Sequence, residues 1–161
     1  MLKLFILIMS SFLFFNACSI KNPLNKKSKF SYIDCPQTLI LAPASKISND
    51  QVTMTLNKGY SVNCYLPEPD STEVVIEYNY SIETLYKIPN SKTEKIEFIV
   101  FITNKKEDIK IYEENFIKVI ETNLPVDEMT ESYTQISSFV DKLKLDKKTF
   151  EDGIKAFIAI N

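Results

Sequence analysis

Thr72-Glu-Val-Val-Ile-Glu-Tyr-Asn-Tyr-Ser-Ile-Glu83 alternates without a break. Val74, Ile76, Tyr78, Tyr80 and Ile82 fall on one side of an extended chain, and Glu73, Val75, Glu77, Asn79 and Ser81 on the other. A period of two is the pattern of a strand with one buried face and one wet face, and β-branched and aromatic residues suit a pleated surface. Upstream the same period recurs twice. Residues 51–56 bring Val52, Met54 and Leu56 together, and residues 60–66 bring Tyr60, Val62, Cys64 and Leu66 together. Asn57-Lys58-Gly59 separates the two runs, which predicts a β-hairpin. Pro67 and Pro69 then end the second run, because proline cannot donate to a ladder. A shorter apolar run, 38–42, lies between Pro36 and Pro43.

Downstream, 89–94 reads as a polar loop. Residues 95–103 are apolar on both faces in their second half, as in a central strand, and 104–108 make a turn. Residues 109–121 and 133–145 also fit helical stripes, through Ile109, Tyr112, Phe116, Ile117 and Ile120 and through Met129, Tyr133, Ile136, Val140 and Leu143. Their Ile, Val and Tyr content favours strands, the first of them bent. Asp146 can cap a single helical turn over 146–151, and 154–160 is a short terminal strand. Seven or eight short strands with polar turns and no internal repeat predict a mainly β fold, an antiparallel, immunoglobulin-like β-sandwich over residues 34–161.

The opening residues have a different character. Lys3 precedes an apolar run, 4–15, of about twelve residues broken only by Ser10 and Ser11. As a helix it would be roughly 18 Å long, against the roughly 30 Å of a bilayer core. Its layout is that of a signal peptide. Phe15-Asn16-Ala17-Cys18 resembles the lipobox of bacterial lipoproteins, which implies a lipid on Cys18 and removal of residues 1–17. Phe15 and Asn16 depart from the usual residues of that box. Two other readings stand beside it: cleavage after Ser19 at Ala17-Cys18-Ser19, and an uncleaved anchor. Ser19 is not the Asp that holds some lipoproteins in the inner membrane, which points to the outer membrane.

Residues 18–33 then read as the lipid anchor and a flexible tether. Lys21, Lys26, Lys27 and Lys29 lie there without an acid, and the segment is too polar to pack. Residues 34–161 carry 14 lysines against 21 acids, a net of about −7, so a basic stem sits under an acidic head. The lysines can bind an anionic membrane surface or be incidental to a solvated linker. With Cys18 taken by lipid, Cys35 and Cys64 are the remaining cysteines. An oxidising compartment favours a disulfide between them, the alternative being two buried thiols.

Cys35-Pro36 after a short linker, Leu39-Ile-Leu-Ala-Pro-Ala-Ser-Lys-Ile47, Cys64-Tyr65, and Leu143-Lys-Leu145 followed by a short polar segment and a last strand resemble a group of small alphaproteobacterial envelope lipoproteins of unknown function. The resemblance spans 35–161 and implies the same disulfide and a β-rich fold. It supplies no catalytic residues.

The composition excludes much chemistry. All nineteen basic residues are Lys, His and Trp are absent, and Gly occurs only at 59 and 153. Without His there is no Ser-His-Asp or Cys-His unit and no ordinary zinc or iron site. Without Arg there is no bidentate clamp for phosphate, and two glycines build no phosphate-cradling loop. The acidic head argues against nucleic acid as a partner. Acid clusters remain at Glu107-Asp108, Glu113-Glu114 and Asp127-Glu128-Glu131. They are candidates for glycosidase-like catalysis or calcium, or are solvated acids at turns and strand ends. The expectation is a non-enzymatic envelope module with no catalytic residues, metal or cofactor, held at the membrane by lipid and binding another envelope protein. The alternative is a carrier of an apolar small molecule or lipid.

Overall fold

The alternation that identifies 72–83 runs further than the sequence suggests. In the computed structural model, which describes residues 30–87, 93–106, 109–121 and 132–161, Glu73–Tyr86 form one fourteen-residue strand. Along it Val74, Ile76, Tyr78, Tyr80, Ile82, Thr84 and Tyr86 are all buried. Numbered in chain order, the described strands are β1 (Ser31–Ile33), β2 (Gln37–Ile40), β3 (Lys46–Ser48), β4 (Val52–Leu56), β5 (Ser61–Leu66), β6 (Glu73–Tyr86), β7 (Glu94–Asn104), β8 (Lys110–Ile120), β9 (Tyr133–Asp146) and β10 (Ile154–Ile160).

Two sheets pack face to face as a β-sandwich. In the first, β6 is the axis. β9 pairs with it over its whole length, from Glu73↔Asp146 to Tyr86↔Tyr133. The other edge of β6 is shared by two short strands laid end to end: β4 pairs with residues 82–86 and β5 with residues 75–79. β3 flanks β4, and β1 flanks β5. The second sheet has the order β2-β10-β7-β8. All its pairings are antiparallel except β2–β10, which is parallel.

The end-to-end arrangement corrects the predicted hairpin, since β4 and β5 do not pair with each other. Asn57 bonds opposite Ser81, and Ser61 stands opposite Asn79. Three residues, 58–60, therefore face Tyr80 alone, which is a bulge of two extra residues. Because the excess is even, the in-out alternation survives it. Val52, Met54 and Leu56 before the bulge and Cys64 and Leu66 after it all reach the same core. The turn chemistry of Asn57 is present, its side chain accepting from the Gly59 amide at 3.1 Å. It serves a break in one strand rather than a reversal.

Between the sheets, Phe98, Val100 and Ile102 of β7 and Ile158 of β10 are fully buried with Val74, Ile76 and Ile82 of β6. Phe98 stacks on Tyr80 with centroids 3.7 Å apart and meets Tyr78 edge-on at 6.1 Å. β7 is central, as its two apolar faces indicate. Residues 109–121 and 133–145 are strands, as their composition suggests. Asp146 caps a short helix, α1 (Lys147–Glu151), accepting from the amides of Lys148 and Thr149. Gly153 then takes φ 88°, a conformation that suits glycine, and β10 follows as predicted.

Two sequence expectations shift. The described strands number ten rather than seven or eight. The expected tether ends earlier than residue 33, since Ser31–Ile33 pair with β5, and Phe30 and Tyr32 lie against Tyr65 at 5.0 and 6.0 Å. The lysines upstream hid that short aromatic alternation. The predicted signal peptide and the remainder of the tether lie outside the described residues.

Candidate functional site

The residues singled out in the sequence do not converge. Cys18 lies outside the described residues. Cys35, on the crossing from β1 in one sheet to β2 in the other, and Cys64, on β5, bring their sulfurs to bonding distance, 2.15 Å, with Cα atoms 5.3 Å apart. Glu113 and Glu114 are neighbours on a strand and so point to opposite faces. Glu113 is exposed and pairs with Lys110 at 2.6 Å. Glu114 turns inward and accepts from the Tyr112 hydroxyl at 2.6 Å, which raises the Tyr112 phenol above its usual range. The two carboxylates cannot share one substrate atom. Glu107, Asp108, Asp127, Glu128 and Glu131 lie outside the described residues. Among the described residues no group of three or more His, Cys, Asp or Glu converges on a metal position. No helix among them is long and apolar enough to cross a membrane.

What the fold does bring together was not singled out in the sequence. β8 and β9 are edge strands of opposite sheets, and their inward faces include polar residues. Lys118 of β8 forms an ion pair with Asp141 of β9, whose second oxygen accepts from the Tyr80 hydroxyl at 2.7 Å. The Lys118 and Asp141 side chains are 18% and 9% exposed. Lys118 also lies 5.7 Å from the Phe139 ring and 5.9 Å from the Phe116 ring. Burial, reinforced by the Asp141 carboxylate, pushes the Tyr80 phenol far above its ordinary range. All the polar ends in this seam are matched, so it reads as a clasp between the sheets.

The two outer faces differ. On the first sheet the outer face sets Lys142 and Lys144 of β9 against Glu77 and Glu73 of β6 at 3.1 and 3.3 Å, with Ile136 and Val140 exposed further along β9. Lys142 holds the Glu77 carboxyl below its usual range. On the second sheet the registers set Leu39, Phe157 and Phe101 side by side across β2, β10 and β7, with Ala159 and Ile99 in the adjoining row. On β8 these rows meet Glu113 and Asn115, while Ile117 and Val119, 66% and 49% exposed, stand opposite Glu97 and Lys95.

β8 also presents an open edge. The Glu97 amide donates to Asn161, and the Asn161 amide donates back, at 2.8 and 2.9 Å. Bonding direction alternates along a strand in an antiparallel ladder. Odd-numbered β7 residues therefore bond toward β10 and even-numbered ones toward β8. Through the register Phe98↔Phe116, the even-numbered residues of β8 bond to β7. Glu113, Asn115, Ile117 and Val119 direct their amides and carbonyls away from the sheet. Among the described residues no strand pairs with that edge.

A second feature is a cleft of about 490 Å³ where the β4–β5 break lies near β2. Leu39, Ile40, Leu56 and Tyr60 form its apolar wall, and Lys58 and Glu83 contribute charge. The Tyr60 hydroxyl donates to the Thr38 carbonyl at 2.6 Å, tying this wall to β2.

Compared with protein-family models, curated proteins and solved structures, the chain matches none. One sequence signal pointed to the open edge. β8 carries apolar residues on both faces, Tyr112, Phe116 and Ile120 on one and Ile111, Ile117 and Val119 on the other. That is the composition of a strand covered on both sides, yet it occurs here at an edge. Lys118 and Asp141 gave no comparable signal.

Proposed function

We propose that this chain is a lipid-anchored protein of the bacterial cell envelope that faces the periplasm, and that its β-sandwich head is a non-enzymatic binding module for another envelope protein. The observation that carries the reading is the outer face of the second sheet, where Leu39, Phe157 and Phe101 form a row across β2, β10 and β7. Ile117 and Val119 of β8 add exposed apolar side chains to the same face, whereas Lys142 and Lys144 on the other outer face are ion-paired. Apolar side chains grouped on an outer face mark interaction sites. The anchor rests on the lipobox-like residues ending in Cys18 and on the basic tether that follows, and the resemblance to small envelope lipoproteins agrees with it. The oxidising compartment suits the Cys35–Cys64 pair.

The test of the anchor is fractionation of the full chain with Cys18→Ala. The variant should leave the membrane fraction or accumulate unprocessed. Normal processing with unchanged membrane retention overturns the anchor. The test of the binding role is crosslinking in intact envelopes with a photoreactive residue at Phe101, on the apolar face, and at Ser81, on the polar face. One defined protein should be captured from Phe101 and not from Ser81.

The cleft beside β2 supports a second reading, a carrier of an apolar small molecule or lipid. Its apolar wall has the size and character of a small-ligand site. Native mass spectrometry of gently extracted protein separates the readings: a bound small molecule supports the carrier, and a clean unliganded mass counts against it.

A further inference from the structure

We propose that β8 is a self-association strand, and that two copies of this chain join their second sheets edge to edge through antiparallel pairing of β8 with β8. The inference deepens the binding reading in one respect, because the joined sheets would double the apolar face offered to a partner. It does not depend on the lipid anchor.

The backbone supplies the first argument. Four consecutive outward-directed positions, Glu113, Asn115, Ile117 and Val119, present amides and carbonyls at one edge. Such groups are satisfied by a partner strand. Past Lys110, β8 contains no proline, and its ladder with β7 is irregular only near its start, between Ile102 and Thr103; the charges that could keep this edge solitary are Glu113 on the outer face and Glu114 and Lys118 on the inner one. The opposite edge strand, β9, differs in setting Lys142 and Lys144 outward.

The side chains supply the second argument, which selects the occupant and the register. In a two-fold antiparallel pair, odd-numbered positions must face odd-numbered positions, so three central registers are open. Centring on Glu114 sets that carboxylate opposite its own copy and Lys110 opposite Lys118, and like charges directly opposite are destabilising. Centring on Asn115 sets Lys118 opposite Tyr112. Centring on Phe116 sets Glu114 of each copy opposite Lys118 of the other, with Phe116 on its own copy and Tyr112 on Ile120. That is the one register in which the inward charges of β8 face opposite charges, twice over by symmetry, with Glu114 of each copy joining Asp141 around a Lys118 ammonium that has three protons to donate. On the outer face the same register places Asn115 opposite Ile117.

The experiment uses the full chain, both in its membranes and purified in mild detergent. Light scattering should give the mass of two chains. Asn115→Cys combined with Ile117→Cys should yield a covalent dimer under mild oxidation, while a Ser81→Cys control on the polar face should not. Asn115→Pro removes an amide that points away from β7, so the ladder within the subunit is kept. It should weaken association by about tenfold or more, a difference of about 1.4 kcal/mol, with the unfolding midpoint little changed. Should that variant fail to fold, Ile117→Glu addresses the same edge through a side chain alone. A monomeric mass at all concentrations, with no crosslink from the Asn115→Cys, Ile117→Cys chain, overturns the proposal. So does a dimer whose affinity neither Asn115→Pro nor Ile117→Glu changes. Loss of membrane attachment in the Cys18→Ala chain would leave these outcomes unaltered, so failure of the anchor and failure of the pairing are read separately.

Discussion

Lys118 on β8 and Asp141 on β9 form an ion pair across the sandwich, joining edge strands of opposite sheets. Tyr80, from the axis of the first sheet, donates to the same carboxylate. Removing one member of a pair this enclosed leaves the other charge without compensation. Asp141→Asn should lower stability by about 3 kcal/mol, read as a shift in the urea midpoint without a change of slope. Replacing both, Lys118→Met with Asp141→Leu, should restore most of the loss, since a buried pair and a well-packed apolar pair are often equivalent. A double variant as unstable as the single one would show that the pair contributes more than charge compensation.

The buried phenols make the domain sensitive to alkali. Burial raises the phenol of Tyr78, of Tyr80 with help from Asp141, and of Tyr86 with help from Glu94, all from an ordinary value of 10.0. The folded chain keeps these protons at a pH where the unfolded chain has lost them. Stability is thus unaffected below about pH 10 and falls as pH rises above it. Phenolate absorbance should climb in two stages. The later stage, from the buried set, should coincide with loss of structure. Tyr80→Phe should shift the onset of alkaline unfolding upward. A single smooth titration with the fold intact would contradict this.

The bulge between β4 and β5 gives a prediction based on parity. Deleting Gly59 alone changes the excess from two residues to one and turns Cys64 and Leu66, with half-buried Val62, to the outer face. Exposing a large apolar side chain costs about 1.5–3 kcal/mol, and the disulfide would be lost as well. Against a total stability of about 5–15 kcal/mol, that chain should not fold. Deleting Lys58 and Gly59 together restores a continuous strand and keeps every side chain on its face, so this shorter chain should fold. Comparing the two deletions by circular dichroism and oxidation state tests the register directly.

The Cys35–Cys64 link closes a loop of 29 residues in sequence. In the chain-entropy account a loop of that size contributes about 3.6 kcal/mol. Cys35→Ser with Cys64→Ser should lower the urea midpoint accordingly, and adding reductant should bring the parent chain to the same value. If reductant leaves the parent unchanged, the two thiols are not bonded in the native protein.

The periodicity of residues 72–83 revealed the core face of β6 because burial and a period of two coincide there. β7 was legible from its two apolar faces instead, and the spacing of β9 fitted a helix as well as a strand, so only its composition pointed to the strand. The partnership of β4 and β5 was not. Asn57-Lys58-Gly59 has the composition of a hairpin turn, and nothing local distinguishes a reversal from an even bulge when the long strand that both halves need lies further along the chain. The clasp was illegible on similar grounds. Lys118 and Asp141 are single charges within alternating strands, and only the packing of two edges brings them together. Cys35 and Cys64 were foreseen from compartment and count, and the geometry accommodates their bond.

The parallel pairing of β2 with β10 has a consequence for timing. Leu39 lies beside Phe157, so nearly the whole head must have emerged before its second sheet can gain its outer strand. β6 is in a similar position, since β9 arrives 47 to 73 residues after the positions it pairs with, from Tyr86↔Tyr133 to Glu73↔Asp146. Contacts this distant in sequence slow folding, because loop closure precedes any stabilisation from them. Until residues 133–160 follow, Tyr78, Tyr80 and Phe98 lack part of their cover, and the growing chain is most prone to aggregate. A head built this way favours completion before folding, so any factor that shields emerging strands acts within that interval.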